Sequence, residues 1–562
     1  MHTIFSHLCS DYWQHLLDTD PTIGRSVGDR RLVHLLFKES LNDIQLRYDV
    51  ARRFQSKLAT IEQSELTSEE SRSYQLLHRE LSNTVREFEF ERHLRHEFFP
   101  FTPDFRMVLY LNDGAVLSKR DVEDYLQRLS SIPLLFQDYQ DRVKQGCAKG
   151  YRIPAVLLDT VINSPLEQSR QPIRKSGFFK PLEGRLSDKY PDQATKAEKI
   201  ISEQVYPALA NWSQFVKERL GQHRTDQISL AKTDPDYYRY LVEKETLCST
   251  SAEDTHQLGL SEVARIGAEM EKVAKKAGFS TGASELKKHL ATSQTYFSES
   301  AQALNNTVAI LSKKIDGMIP EFFSLIPRTT YSIESIDPET SASMPPAFAQ
   351  PNPANGSRSG IHWLTSLPEK CPSYMHTPLA LHEAWPGHLL HIAVLQELDN
   401  IPEFQKHRPL EYNAYAEGWA LYCERLGHDM GLYDDPIDHF GQLMMEMWRA
   451  TRLVVDTGIH YYGWSREQAN TYMHKYLSLS EATIAAEVDR YIGMPAQALS
   501  YKMGDTCIQS LRDKCETELS EKFSLREFHR QLMICGPVTL NLLEQHIASW
   551  IKEIQAKNSK TA

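Results

Sequence analysis

Apolar residues recur at three- and four-residue steps over most of the first 320 positions, and the elements this pattern predicts are helices. Thr67 with Glu70 three positions on reads as a capping box, and Tyr74, Leu77, Leu81, Val85 and Phe88 then form one apolar stripe. Charged residues fill the other face, as in an amphipathic helix packed in a bundle. The pattern breaks at residues 99–104 and resumes near Ser118. Residues 164–191 are rich in Pro, Gly, Ser and charge and read as an irregular connection. Helical periodicity returns over 194–222, runs again over 261–276 to a C-cap glycine at Gly278, and continues through 284–325. No alternating strand pattern and no internal repeat is visible in this half, which reads as a helical wall or lid without chemistry of its own.

Residues 337–360 differ. Five prolines in these 24 positions forbid a helix. Composition alone reads as a mobile linker. The position just ahead of a histidine-rich helix reads instead as a fixed loop, with Arg358 available to meet a carboxylate. Residues 361–365 after it suit a short strand at the edge of a cleft.

Composition narrows the function classes. Lys and Arg number 63 against 74 Asp and Glu, a net charge of −11, which argues against nucleic acid or an anionic membrane as partner. The eight cysteines are scattered with no CxxC pair, as in a reducing compartment. No secretory signal and no membrane-length apolar run is visible, so a cytoplasmic location is expected.

The candidate chemistry centres on residues 377–392. Thr377 followed by Pro378 reads as a helix start, with His382 and Glu383 about one turn inside. A His-Glu pair with a second His four positions after the first holds zinc and sets a general base beside it. Here the next histidine is His388, six positions on, with Pro386 and Gly387 between. Four residues leave two imidazoles about 40° apart around a helix, whereas six leave them about 240° apart. Pro386 cannot donate to the carbonyl of His382, and Gly387 tolerates unusual backbone angles. Two residues looped out as a bulge would restore the short spacing.

A third ligand is sought in residues 411–426, a helical stretch ended near Gly427. Glu417 is assigned as ligand. Glu424, seven positions on and within about 20° of the same face, is assigned to orient a ligating histidine. Zinc at His382, His388 and Glu417, one ion per chain, would leave Glu383 as general base. Candidates for oxyanion stabilisation and substrate contact are His460, Arg490, Tyr491 and Tyr501; each alone suits a packed structural residue better, and their joint place in short polar segments after the ligand helices is what favours them.

These segments carry a resemblance. His382-Glu-Ala-Trp-Pro-Gly-His388, Tyr415-Ala-Glu-Gly-Trp-Ala-Leu-Tyr422, Asp456-Thr-Gly-Ile-His460 and Arg490-Tyr491 with Pro495-Ala-Gln-Ala-Leu-Ser-Tyr501 resemble, in order, the motifs of the bacterial domain-of-unknown-function family numbered 885. Ser357-Arg-Ser-Gly360 and the surroundings of residues 259–265 extend the likeness over nearly the whole chain. That family is grouped with the zincin-like metallopeptidases and is more distantly similar to thimet-oligopeptidase-like and carboxypeptidase-Taq-like enzymes. The resemblance implies a mainly α zincin-like architecture with a channel or cleft, a distal glutamate ligand matching Glu417, and a late transition-state tyrosine matching Tyr501. Leu389, His391 and Ala496 stand where the family commonly has His, Gln and Gly, and His391 leaves the second ligand open. Many relatives carry an export or lipoprotein signal, and none is visible in the first residues of this sequence, so an envelope location is not expected.

The reading is a helical wall over 1–325 and a catalytic region over 326–562, with a small sheet near the site. Glu383, Tyr501 and His460 are expected to act in catalysis, and Arg358, Arg490 and Tyr491 to contact a short peptide. A metal-dependent amidase on a non-protein amide and a non-catalytic helical binding protein are the alternatives.

Overall fold

The computed structural model describes residues 3–97, 116, 118–184, 188–336, 338–341 and 344–559. The break expected at residues 99–104 lies outside them. The fold is mainly helical, with a few short strands. By internal contact the chain divides into two compact units. The first comprises residues 1–228 with 402–404 and 492–494, and the second 229–401, 405–491 and 495–562.

The first unit holds α1 (Thr3–Thr19), α2 (Pro21–Val27), α3 (Leu41–Leu58), α4 (Ser68–Glu89), α5 (Lys119–Ala148), α6 (Ala155–Gln168), α7 (Pro191–Ile200) and α8 (Tyr206–Arg219). The capping box that opens α4 is present: Thr67 Oγ1 accepts from the Glu70 amide, and Glu70 accepts from the Thr67 amide. Tyr74, Leu77, Leu81 and Val85 of its stripe are buried. Ser118 caps α5 in the same way, with Asp121 as the reciprocal partner. A π-turn over Ile201–Val205 joins α7 to α8, just where Pro207 removes a donor from the regular ladder. Two departures from the sequence reading occur in this unit. Residues 164–168 belong to α6, because Pro165 falls in its last turn and disturbs little. A pair of two-residue strands, β1 (Ile153–Pro154) and β2 (Arg224–Thr225), lies where no strand was expected, being too short to show alternation.

The second unit opens with α9 (Pro235–Thr246), α10 (Ala252–Lys276), α11 (Ala283–Thr292) and α12 (Ala301–Phe322). Gly278, at φ 92°, follows α10 as expected. A three-stranded sheet of β3 (Tyr331–Ser335), β4 (Ala347–Gln350) and β5 (Gly360–Leu364) comes next, in the order β3-β5-β4 with β4 antiparallel. Part of the proline-rich segment is therefore built into a sheet, and β5 occupies the strand expected near residue 361.

The helices that carry the candidate chemistry follow: α13 (His376–Glu383), α14 (His388–Gln396), α15 (Asn413–Leu426), α16 (Pro436–His460), α17 (Arg466–Tyr476), α18 (Glu481–Gly493), α19 (Ser500–Leu519), α20 (Leu525–Ile534) and α21 (Leu540–Ser559). Helix α10 packs along α16, and α15 along α19. Lys502, buried on α19, gathers carboxylates from three helices: Asp505 at 2.6 Å, Glu446 at 2.8 Å and Glu262 at 3.0 Å. Such pairing is what permits a lysine to be buried. Among the described residues no helix is long and apolar enough to cross a membrane.

The α15–α19 crossing brings backbone against backbone. A Cβ on Gly504 would lie 1.8 Å from the carbonyl oxygen of Ala414, and one on Gly418 would lie 2.4 Å from the Gly504 backbone. The close approach sets Tyr501, at the start of α19, beside the helix that carries Glu417. Gly504→Ala is therefore expected to destabilise the protein by about 2 kcal/mol or more through overpacking, read as a lower urea midpoint. Gly317→Ala, inside α12 where an added Cβ meets nothing within 4 Å, is expected to raise the midpoint slightly, by about 0.4–1 kcal/mol of stability.

Candidate metal centre

The histidine segment is two helices. Helix α13 ends at Glu383, α14 begins at His388, and the four residues between them form a tight connector. Its backbone departs from the helical region at Ala384 (ψ −127°) and at Gly387 (ψ −135°), and the Trp385–Pro386 bond is cis. The expected bulge within one helix is thus a complete break with the same effect. A Cβ on Gly387 would stand 1.9 Å from the carbonyl oxygen of His382 and 2.4 Å from that of Leu381, so only glycine fits there. Trp419 of α15 pins the connector, its indole N–H donating to the carbonyl of Pro386 at 3.0 Å. The start of α13 also differs from expectation. A 3₁₀ turn at Ser373–Met375 leads directly into it, Thr377 lies inside the first turn, and no side chain caps it. Pro378 is still tolerated, because amides of the first turn have no intrahelical acceptor.

Across the break the imidazoles of His382 and His388 meet edge to face, with centroids 4.9 Å apart. Both present Nε2 to one oxygen of Glu417: Oε2 lies 3.5 Å from His382 and 3.4 Å from His388. That oxygen is buried and has no hydrogen-bond partner among the described residues. Zinc bonds of about 2.0–2.2 Å at a tetrahedral angle separate ligand atoms by about 3.3–3.6 Å. The two edges from Glu417 Oε2 fall in this range, as ligation of one zinc ion by all three side chains would require. Ligand-capable atoms of His382, Glu383 and His388 lie within 4.8 Å of one another, which places Glu383 beside the two imidazoles.

Glu424 orients His382. Its Oε1 lies 2.8 Å from His382 Nδ1, which as N–H donates to it and leaves Nε2 as the lone-pair donor. The carboxylate is wholly buried and is balanced by Arg449, whose Nη2 stands 3.3 Å away. Without a cation, His382 takes over part of its role. Burial alone would lower the imidazole's pKa, but the Glu417 and Glu424 carboxylates raise it to about 9. Burial likewise opposes the charge of Glu417, and the facing histidines outweigh it, holding the carboxyl well below its usual range.

The remaining expected residues are placed as follows. His391 is fully buried between Tyr415 and Trp419, with ring centroids at 5.2 and 5.7 Å, and burial lowers its pKa to about 3. Of the two histidines, His388 is the one that faces Glu417. His460, in the last turn of α16, is held by backbone at both nitrogens: Nε2 by the Tyr491 carbonyl at 2.9 Å and Nδ1 by the Leu230 amide at 3.4 Å. Its place is a packed one. Arg358 donates to the carbonyls of Ser359 and Pro351 and so braces its own loop. Tyr501 is near the cluster. Burial and the Glu417 charge raise its pKa, while Arg452 and Arg490 pull the other way. Arg490 and Tyr491 both bond Glu487. Arg449, Arg452, Glu487 and His362 were not foreseen. His362 on β5 is buried, has neither ring nitrogen hydrogen-bonded among the described residues, and is held neutral by burial and by the neighbouring His382, with its pKa lowered to about 3.

Fold and site together define a mainly α protein with a His-His-Glu centre split across a helix break. The chain belongs to the family described as "Bacterial protein of unknown function (DUF885)", whose model matches residues 21–547. Its fold is similar to a solved structure described as "the putative lipoprotein from Colwellia psychrerythraea", at TM-score 0.89 and 24% identity, covering 98% of this chain and 99% of that one. It is also similar to "a putative lipoprotein of unknown function from Shewanella oneidensis", at TM-score 0.72 and 16% identity over 96% and 99% of the two chains. No curated protein matches the chain.

Two outcomes follow from the geometry. Purified protein equilibrated with zinc should hold about one ion per chain by elemental analysis. His388→Ala should lose it, and His391→Ala should keep it. For the metal-free protein, the His382 pKa of about 9 lies above the ordinary 6.5. Protonation of His382 therefore stabilises the fold fully below about pH 6.5, and this contribution is lost as the pH rises through 9. The Tm of chelator-treated protein should fall across that window, and a constant difference between metal-free and zinc-loaded samples would contradict the assignment.

Proposed function

We propose that this protein is a zinc-dependent hydrolase that cleaves peptide bonds in short peptides. The observation that carries the reading is the pair of edges from Glu417 Oε2 to the two imidazole Nε2 atoms, 3.5 and 3.4 Å, with Glu383 beside them. Three protein ligands with a general base alongside are the donor set of a catalytic rather than a structural zinc site, which closes its coordination with four. Zinc held there would polarise the scissile carbonyl and bring the pKa of a bound water from 15.7 to about 7.

The chain's own groups supply the rest. Glu383 accepts the proton of the attacking water and passes it to the leaving amine. The Glu424 bond would hold the proton of a metal-bound His382 on Nδ1 and leave Nε2 for the ion, and Arg449 pairs with Glu424 from behind. Tyr501, whose pKa burial and Glu417 raise, would be the donor that meets negative charge developing on the substrate carbonyl. The net charge of −11 favours small peptides over nucleic acid as partner.

Glu383→Gln tests the chemistry, since it removes the base and leaves His382, His388 and Glu417 in place. The variant should bind zinc as before and lose turnover of a peptide library by at least about 100-fold. Unchanged turnover would refute the assigned base.

A further inference from the structure

Beside Tyr501, two guanidiniums share one carboxylate. Arg490 donates to Glu487 through Nε and Nη2 at 3.2 and 3.0 Å, and to Gln497 through Nη1 at 2.7 Å. Arg452 donates to the same Glu487 oxygen from Nη2 at 3.1 Å, and to the Tyr491 hydroxyl from Nε at 3.2 Å. That hydroxyl donates in turn to Glu487 at 2.8 Å. The Arg452 guanidinium stands 4.5 Å from the centre of the Tyr501 ring and 5.1 Å from that of Trp448.

The charges here do not balance. Glu487 carries one negative charge against two positive ones. Glu424 is committed to His382 and Arg449, and Glu417 faces the two imidazoles. Asp456 accepts from Tyr238 and the Ala496 amide, and burial holds its pKa up to about 7, so it is only partly charged. A positive charge is left over where Arg452 is only 7% exposed. Two buried guanidiniums that share one carboxylate are less fully compensated than a one-to-one pair, so the place favours a further anion. Arg452 Nη1 makes no hydrogen bond among the described residues, so the guanidinium retains a donor for a ligand.

We propose that Arg452 and Arg490 form a subsite that binds a carboxylate of the substrate, next to Tyr501 and hence next to the scissile bond. The expected source is the free C-terminus of a short peptide, which makes the cleavage one close to that end. A planar guanidinium suits a carboxylate by its forked donors. An acidic side chain near the end of the peptide offers the same chemistry. The inference rests on the peptide-hydrolase reading for its substrate, but its test is binding and does not require turnover.

The test compares three probes on the full-length Glu383→Gln chain with zinc in the buffer: N-acetyl-tetraalanine, its C-terminal amide, and the amide ending in glutamate in place of the last alanine. Calorimetry should show the free acid binding at least tenfold more tightly than the amide, with the difference shrinking as salt is raised. Recovery of affinity by the glutamate-ended amide would assign the carboxylate to a side chain, within the same subsite. Arg452→Gln should remove the preference and Arg452→Lys should keep part of it, which separates loss of the fork from loss of the fold. Equal binding of all three probes, or binding of none, would overturn the subsite. Wild-type cleavage of acid and amide at equal rates would leave a peptide hydrolase without this anchor, whereas a tenfold binding preference without any turnover would leave the anchor without the hydrolase.

Discussion

Six residues of regular helix carry the second imidazole to nearly the opposite side from the first, and the whole site depends on how the backbone cancels that rotation. The chain ends one helix at Glu383 and begins another at His388, with a connector that folds back on the carbonyls of Leu381 and His382. The fold back is possible only because residue 387 has no side chain. Trp419 then fixes the connector from α15, the same helix that presents Glu417 and Glu424. One helix thus supplies Glu417, the Glu424 carboxylate that orients His382, and the indole that holds the break in place.

Electrostatics follow from this geometry. Bringing a glutamate between two imidazoles in a buried place is tolerable only with a positive charge among them. Without metal, that charge is a proton on His382, which the two carboxylates hold on the imidazole up to about pH 9. With metal, the ion would take its place and the proton would leave. Arg449 behind Glu424, and Arg452 with Arg490 behind Tyr501, extend the same alternation of charge outward.

Much of this was legible in the chain and some was not, for physical reasons. Long amphipathic helices write their apolar stripe into the sequence, and caps such as Thr67, Ser118 and Gly278 mark their ends. The two-residue strands at residues 153 and 224 leave no period to read. That His382, His388 and Glu417 come together could be inferred because a His-Glu motif with a return helix restricts both residue type and spacing. His460 and Arg358 looked equally available, yet their polar atoms are taken up by backbone carbonyls and amides, which a sequence does not show. Arg449 and Arg452 sit on a helix where charged residues ordinarily read as a solvated face. Their partners Glu424 and Glu487 are 25 and 35 positions away, so only the packed structure joins them.

The central claim is that the break at residues 384–387 creates one metal site shared by His382, His388 and Glu417. Anomalous scattering from zinc-soaked crystals of this protein tests it most directly. The account requires a single strong peak about 2.0–2.2 Å from both histidine Nε2 atoms and from Glu417 Oε2. Absence of a peak at full zinc occupancy of the buffer, or a peak elsewhere with these three side chains unchanged, would contradict it.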